Sequence, residues 1–118
     1  MERAGSQRIL SVSYDPTLLK TRQLLLEARG YKVTSVNGFT RAIAECRNTG
    51  YDLLILGHSV PLADKLALIK ESQQHSWAPI LALLRPSESD VEGASRSLEA
   101  SYAPDALVLV VQELLRAN

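Results

Sequence analysis

Hydrophobic and polar positions along the chain predict strands that alternate with helices. The segments Arg8–Ser13 and Tyr31–Val36 are rich in β-branched or alternating apolar residues, which is typical of strands. The segments Leu53–Leu56 and Ala78–Leu84 are short continuous apolar runs bounded by turn residues. Such runs are typical of strands buried on both faces of a parallel sheet. The pattern therefore predicts at least four strands in the first 84 residues.

Three helices are predicted between these strands. The first begins at Asp15 as the N-cap, with Pro16 at the first helical position, and stops at Gly30. Apolar residues at helical spacing mark the other two: Phe39, Ala42, Ile43 and Cys46 in one, and Leu62, Leu66 and Ile69 in the other. Strands and helices in this order predict βαβ units with right-handed crossovers. The expected fold is therefore α/β, a small doubly wound parallel sheet with helices on both faces.

After Leu84 two interpretations compete. In the first, residues 85–93 form a loop, Ser95–Glu99 forms an edge strand and a last helix begins at Pro104. In the second, Ser87–Ala100 is a helix and Ala106–Val111 is the fifth strand, which its β-branched residues favour. The proline and the helical spacing of the last apolar stripe favour the first, and that stripe contains Leu107, Val110, Val111, Leu114 and Leu115. We prefer the first interpretation, so the fourth helix of the series is expected to be shortened or absent.

The length and the net charge of the chain limit the classes of function that it can have. A chain of 118 residues is expected to form one domain, with a core of about residues 7–117 and no output domain. With 13 basic and 13 acidic residues, the net charge of zero argues against a nucleic-acid-binding module and against a polybasic membrane surface. A single cysteine, Cys46, and the lack of a signal-peptide pattern favour a soluble cytoplasmic protein. No phosphate-binding glycine motif occurs in the sequence, so nucleotide binding has no support.

Several short segments together resemble one known family. They are Ile9–Val12, Asp15–Pro16, Arg29–Val33, Tyr51–Leu56, Pro61 and Ala78–Leu81, with Gly93–Ala94 before the fifth strand. In this order they are similar to the receiver domain of response regulators, the CheY-like signal-receiving module of two-component systems. The resemblance covers nearly the whole chain and implies a five-stranded sheet in the flavodoxin-like order 2-1-3-4-5.

The family's phosphorylation chemistry depends on five positions, and this sequence departs from the family at each. The family has a phosphoacceptor carboxylate, two acidic magnesium ligands, a hydroxyl residue after the fourth strand and a lysine after the fifth. The matching residues here are, in that order, Gly57, Ser13 with Tyr14, Leu84 and Ala100. Under the second interpretation the lysine position falls near Leu109. The resemblance therefore implies a degenerate receiver, a pseudo-receiver, in which the usual aspartyl phosphorylation is lost.

Other residues near these positions have ordinary interpretations. Asp15 is expected to cap a helix, and His58 and Ser59 to make loop contacts beside the lost acceptor. His58 could be a phosphoacceptor or a metal ligand, but an ordinary loop histidine is the stronger interpretation. Asp64 could be a displaced acceptor, but a carboxylate that stabilises a helix N-terminus is the stronger interpretation. Trp77 is expected to pack at the sheet edge with Tyr102, or else to form a contact patch with it. No metal and no cofactor is expected.

Two functions from different classes remain. The first is a receiver-like module of phosphorelay signalling that is not an enzyme and acts through contact with a protein partner, with a homodimer as a further alternative. The second is a sensor of a small ligand or ion, which would bind in a pocket made by Ser13, Tyr14, Gly57, His58 and Leu84. A residual phosphoacceptor is a third alternative.

Overall fold

The structure is a computed structural model that describes residues 7–99 and 103–116. Its elements are, in chain order, β1 (Arg8–Ser13), α1 (Pro16–Glu27), β2 (Lys32–Asn37), α2 (Phe39–Glu45), β3 (Leu53–Leu56), α3 (Leu62–His75), β4 (Ile80–Leu84), β5 (Arg96–Glu99) and α4 (Pro104–Arg116). All strand pairs are parallel, and the sheet order is β2-β1-β3-β4-β5. The predicted α/β fold and strand order are confirmed.

Strand β3 lies at the centre of the sheet, as its apolar run predicts. Its four residues are all buried, since the sheet is covered on both faces. In register, Ile9 of β1 faces Leu53 on one side, and Ile80 of β4 faces Leu54 on the other. Successive side chains of a strand point to opposite faces, so β3 contributes to both halves of the core. One half, under α1 and α4, includes Leu53 and Ile55, and the other, under α2 and α3, includes Leu54 and Leu56.

The last third of the chain follows the first of the two interpretations. Residues 85–95 form turns and bends without a helix, so β4 leads to β5 without the fourth helix of the series. Helix α4 has Pro104 at its start, where a missing N–H costs nothing. The valines that favoured a strand are accommodated because Val110 and Val111 lie on the helix face that packs against the sheet. Burial of this face outweighs the β-propensity of the valines.

Helix α3 is present as predicted, but two of the three apolar residues that mark it in the sequence lie off its buried face. Leu62 and Leu66 are 49% and 40% exposed. The buried residues are instead Lys65, Leu68, Ile69 and Ser72, which have the spacing of one helix face. Because Lys65 lies on that face, the spacing of apolar residues alone did not indicate that the face is buried.

Trp77 projects into solvent after α3. It is 99% exposed, so the expectation that it packs at the sheet edge is wrong. Tyr102, its suggested partner, lies outside the described residues. Within residues 7–99 and 103–116, no helix is long and apolar enough to cross a bilayer.

Candidate functional site

Three segments meet at the carboxyl edge of the sheet: residues 13–15 from the last residue of β1, residues 57–61 after β3 and residues 84–88 from the last residue of β4. The register pairs Val12 with Leu56, and Leu56 with Ala82, so the ends of these strands lie side by side. Ser13 and Gly57 thereby come together. Ala100, the fifth position expected from the resemblance, lies outside the described residues.

Gly57 stands where strands β1 and β3 approach closely. Its N–H donates to the Val12 carbonyl at 2.8 Å. A Cβ atom added at Gly57 would lie 3.0 Å from that carbonyl oxygen and 3.3 Å from the Cβ of Ser13. These distances are shorter than ordinary van der Waals contact, so any side chain here requires a small shift of the backbone. Gly57, which the resemblance matches to the acceptor position, is therefore tightly packed against β1.

A pair of serine hydroxyls joins the first two segments. The Oγ atoms of Ser13 and Ser59 are 3.0 Å apart, and Ser59 Oγ also accepts from the Tyr14 backbone N–H at 2.9 Å. Ser13 Oγ in turn accepts from the Asp15 N–H at 3.0 Å. Hydroxyl groups that both donate and accept can satisfy each other in this way without a carboxylate or a cation. Hydrogen bonds within the protein thus engage Ser13 and the Tyr14 backbone, the two residues that the resemblance matches to the magnesium ligands.

Tyr14 and Asp15 both have partners elsewhere. The Tyr14 hydroxyl donates to Asp64 Oδ2 at 2.8 Å. Burial, and then this bond to Asp64, raises the pKa of Tyr14 above its usual range, so the phenol stays protonated and keeps donating. The Asp15 carboxylate caps α1, accepting from the N–H groups of Thr17 and Leu18 at 3.0 and 3.1 Å.

Lys65 connects α3 to the end of β4. Its side chain is fully buried, and Nζ donates to the Leu83 carbonyl at 2.8 Å and to Glu88 Oε1 at 2.9 Å. Burial alone would raise the pKa of Glu88, but the bonds from Lys65 and from the Arg85 N–H lower it overall. Sequence reasoning missed this ion pair. Its only signal is that Lys65 precedes Leu68 and Ile69 by three and four residues, on the buried face of α3.

His58 lies half-buried between cationic groups. The Arg85 Nε–H donates to the His58 carbonyl at 2.9 Å, which joins the second and third segments. Burial, followed by the charges of Arg22, Arg85 and Lys65, lowers the pKa of His58, and Asp15 opposes this only in part. The imidazole is therefore neutral at pH 7, because its pKa is below the usual 6.5.

A cavity of about 220 Å³ lies beside this edge, between α1 and α4. It is lined by Leu18, Thr21, Arg22, Leu25, His58, Pro104 and Leu107. Of the five residues expected to line a ligand pocket, only His58 borders it. Ser13 and Leu84 are instead buried, with 0% and 4% exposure.

Arg22 is a second residue that sequence reasoning missed. It is 4% exposed and lies between Leu19 and Leu26 on the buried face of α1. A single arginine three residues after one core leucine and four before another is the signal that could have identified it.

Comparisons with known proteins agree with this fold. No protein-family model matches the chain. The transcriptional regulatory protein ResD of Bacillus subtilis (strain 168) is 24% identical over 122 residues, which cover 98% of this chain and 51% of ResD. The chain thus spans about half the length of that relative.

Solved structures agree over most of the chain. The N-terminal domain of a response regulator/sensory box/GGDEF protein from Carboxydothermus hydrogenoformans is 23% identical, with a TM-score of 0.81 over 94% of this chain and 95% of that one. The receiver domain of the sensor histidine kinase PA1611 from Pseudomonas aeruginosa is 22% identical, with a TM-score of 0.78 over 93% and 98% of the two chains. These likenesses, together with the sheet order, give this chain the fold of response-regulator receiver (CheY-like) domains.

The PA1611 receiver domain was solved with a magnesium ion coordinated in its active-site cleft. Magnesium binds through several hard oxygen ligands, of which one or two are usually carboxylates. Here Ser13 and Tyr14 supply no carboxylate, and the Asp15 carboxylate accepts from two N–H groups of α1. Among the described residues, no group of three or more His, Cys, Asp or Glu side chains could hold a metal ion. The residues at this edge therefore do not fit a magnesium ion.

Proposed function

We propose that this chain is a receiver-like module of two-component signal transduction that acts by contact with a protein partner. It is not phosphorylated on the usual acceptor position, and it catalyses no reaction of its own. Its fold supports the signalling role, and the departures at Ser13, Tyr14, Gly57 and Leu84 support the loss of phosphoryl transfer. In this sense it is a pseudo-receiver.

One observation carries the proposal. The second of the three segments at the carboxyl edge is joined directly to the other two, by Ser59 to Ser13 and by the His58 carbonyl to Arg85, and Tyr14 of the first segment is joined to Asp64 of α3. In a phosphorylated receiver a metal ion and a phosphoryl group would lie between such segments. Here the protein's own groups satisfy one another, so the surface around this edge is set without a ligand. A partner would then recognise one state, or shift the domain only through differential affinity for two states.

Trp77 supports the contact mode. An indole that is 99% exposed adds nothing to the core, whereas tryptophan is enriched among the residues that contribute most to protein interfaces. The groove beside it is lined by Gln73, Ser76, Ala78, Pro79, Ile80, Gly93 and Ser95. This surface is on the amino side of β4, away from the edge described above.

Phosphorylation by acetyl phosphate tests the proposal. The protein is incubated with acetyl phosphate and Mg²⁺, and its intact mass is measured before and after, with a receiver domain that has the acceptor aspartate as positive control. We expect no phosphoryl adduct on this chain while the control is modified. A stoichiometric, Mg²⁺-dependent adduct would overturn the proposal.

The variant Gly57→Asp tests whether an acceptor carboxylate alone, without the magnesium ligands, is enough for phosphorylation. We expect this variant to stay unmodified as well, because the backbone crowds position 57 and the neighbouring magnesium ligands are missing. If the single change produced a hydroxylamine-labile adduct, as an aspartyl phosphate would be, the edge would be open to Mg²⁺ and phosphate. The account of direct loop-to-loop bonding would then be wrong.

A further inference from the structure

The guanidinium of Arg22 is buried without a counter-ion. Its Nε is the one buried side-chain nitrogen or oxygen that lacks a hydrogen-bond partner in residues 7–99 and 103–116. Its Nη1 makes one long contact, 3.4 Å, to Ser11 Oγ. None of the ion pairs among the described residues includes Arg22. A buried charge without a partner is costly, so such a group is normally paired.

The cavity between α1 and α4 offers room for that partner. Arg22 lines it together with the polar side chains of Thr21 and His58. The other described residues that line it, Leu18, Leu25, Pro104 and Leu107, are apolar. A pocket with an apolar wall and a few convergent polar groups is typical of small-molecule sites.

From this geometry we infer that the cavity binds a small organic carboxylate, whose charge pairs with Arg22 and whose apolar body lies against the leucines. The planar guanidinium suits a carboxylate because it can donate two parallel hydrogen bonds. One buried cation balances a single negative charge, so a doubly charged phosphate would remain partly uncompensated. An apolar body also matches Leu18, Leu25 and Leu107 better than an inorganic anion does. This inference does not require the chain to act in signalling.

The size of the cavity sets the size of the ligand. An apolar cavity of about 150 Å³ is large enough for benzene. The cavity here, about 220 Å³, has room for a ring of that size with a carboxylate attached. Benzoate is therefore a suitable probe. Because burial, and then the charges near His58, lower its pKa, the imidazole is neutral at pH 7 and can donate a further hydrogen bond from one nitrogen.

Binding is tested by titrating the full chain with benzoate and following NMR signals. The Arg22 Nε–H and the amides of Thr21, His58 and Leu107 report on the cavity. We expect saturable shifts of these signals, with a Kd of about 1 mM or tighter. Benzyl alcohol, which has the ring without the charge, is expected to bind at least tenfold more weakly, and so is inorganic phosphate.

Two variants locate the site. Arg22→Leu places an apolar residue on the buried face of α1, so it is expected to fold and to weaken benzoate binding at least tenfold. Arg41→Leu removes an exposed arginine from α2, on the opposite face of the sheet, and is expected to leave binding unchanged. The inference is overturned if benzoate leaves the Arg22 Nε–H unshifted, or if Arg22→Leu binds benzoate as well as the wild type. Equal affinity for phosphate and benzoate would also overturn it.

Discussion

The buried ion pair of Lys65 and Glu88 leads to a prediction about which substitution lowers the free energy of unfolding more. The Lys65 side chain has 0% exposure, whereas the Glu88 side chain has 15%. Glu88→Ala leaves a fully buried ammonium group with the Leu83 carbonyl as its remaining partner. Lys65→Met leaves a carboxylate that reaches water and still accepts from the Arg85 N–H at 3.0 Å. The two substitutions break the same ion pair, but each leaves a different charged group without its partner.

The magnitudes follow from that difference. Removal of one member of a buried pair costs about 3–5 kcal/mol when the other is left buried, so with some access of water we expect about 2–4 kcal/mol for Glu88→Ala. For Lys65→Met we expect about 0–2 kcal/mol, because methionine fills a similar volume and the carboxylate left behind is hydrated. The double variant, Lys65→Met with Glu88→Ala, is expected to be more stable than Glu88→Ala alone, since it contains no buried charge without a partner.

Urea unfolding followed by far-ultraviolet circular dichroism measures these differences, provided that the slope m is unchanged between variants. Tryptophan fluorescence is unsuitable because Trp77 is already exposed in the native state. Arg47→Met serves as control, since it breaks the exposed pair with Glu71 and should leave the free energy of unfolding nearly unchanged. The reasoning is refuted if Lys65→Met costs as much as Glu88→Ala, or if the double variant is the least stable of the three.

Three further predictions concern single groups. The native pKa values of Glu88 and His58 both lie below their usual 4.5 and 6.5, so the unfolded state takes up protons first as the pH falls. The free energy of unfolding should therefore decrease below pH 6.5 and again below pH 4.5, and His58→Gln should remove the first decrease in urea titrations at several pH values. Asp15→Ala removes the cap of α1 and should cost about 1 kcal/mol in the same assay, and an unchanged stability would contradict the cap. Burial, with Glu71 and Glu45 nearby, raises the pKa of Cys46 to about 12, so a thiol reagent at pH 8 should react with it only after unfolding.

The apolar runs, and the residues that begin and end helices, predicted most of the fold. The run Leu53–Leu56 gave the central strand, because few other arrangements bury a short segment on both faces. Pro104 decided the start of α4, even though Val110 and Val111 favoured a strand by propensity alone. In both places the spacing of the apolar residues agrees with the tertiary packing, so the sequence was sufficient even where the propensity of the valines pointed to a strand.

The parts that were missed involve polar residues inside the fold. Lys65 and Arg22 interrupt apolar helix faces, so a pattern of leucines assigns them to the surface. Their burial depends on partners distant in sequence: the Leu83 carbonyl and Glu88 for Lys65, and a cavity between two helices for Arg22. Such placement is a property of tertiary structure and has no local signature beyond the interrupted stripe.

The direct bonds between the loops at the carboxyl edge are the central claim, and NMR of that edge tests it. Amide spectra are recorded for the wild-type chain with Mg²⁺ alone and with Mg²⁺ plus beryllofluoride, an analogue of the phosphoryl group. We predict that the amides of Gly57, Ser59 and Arg85 do not shift, since the proposal holds that the loops at this edge bond to one another and leave no site for metal or phosphate. Saturable shifts of these amides that require both Mg²⁺ and beryllofluoride would contradict the account.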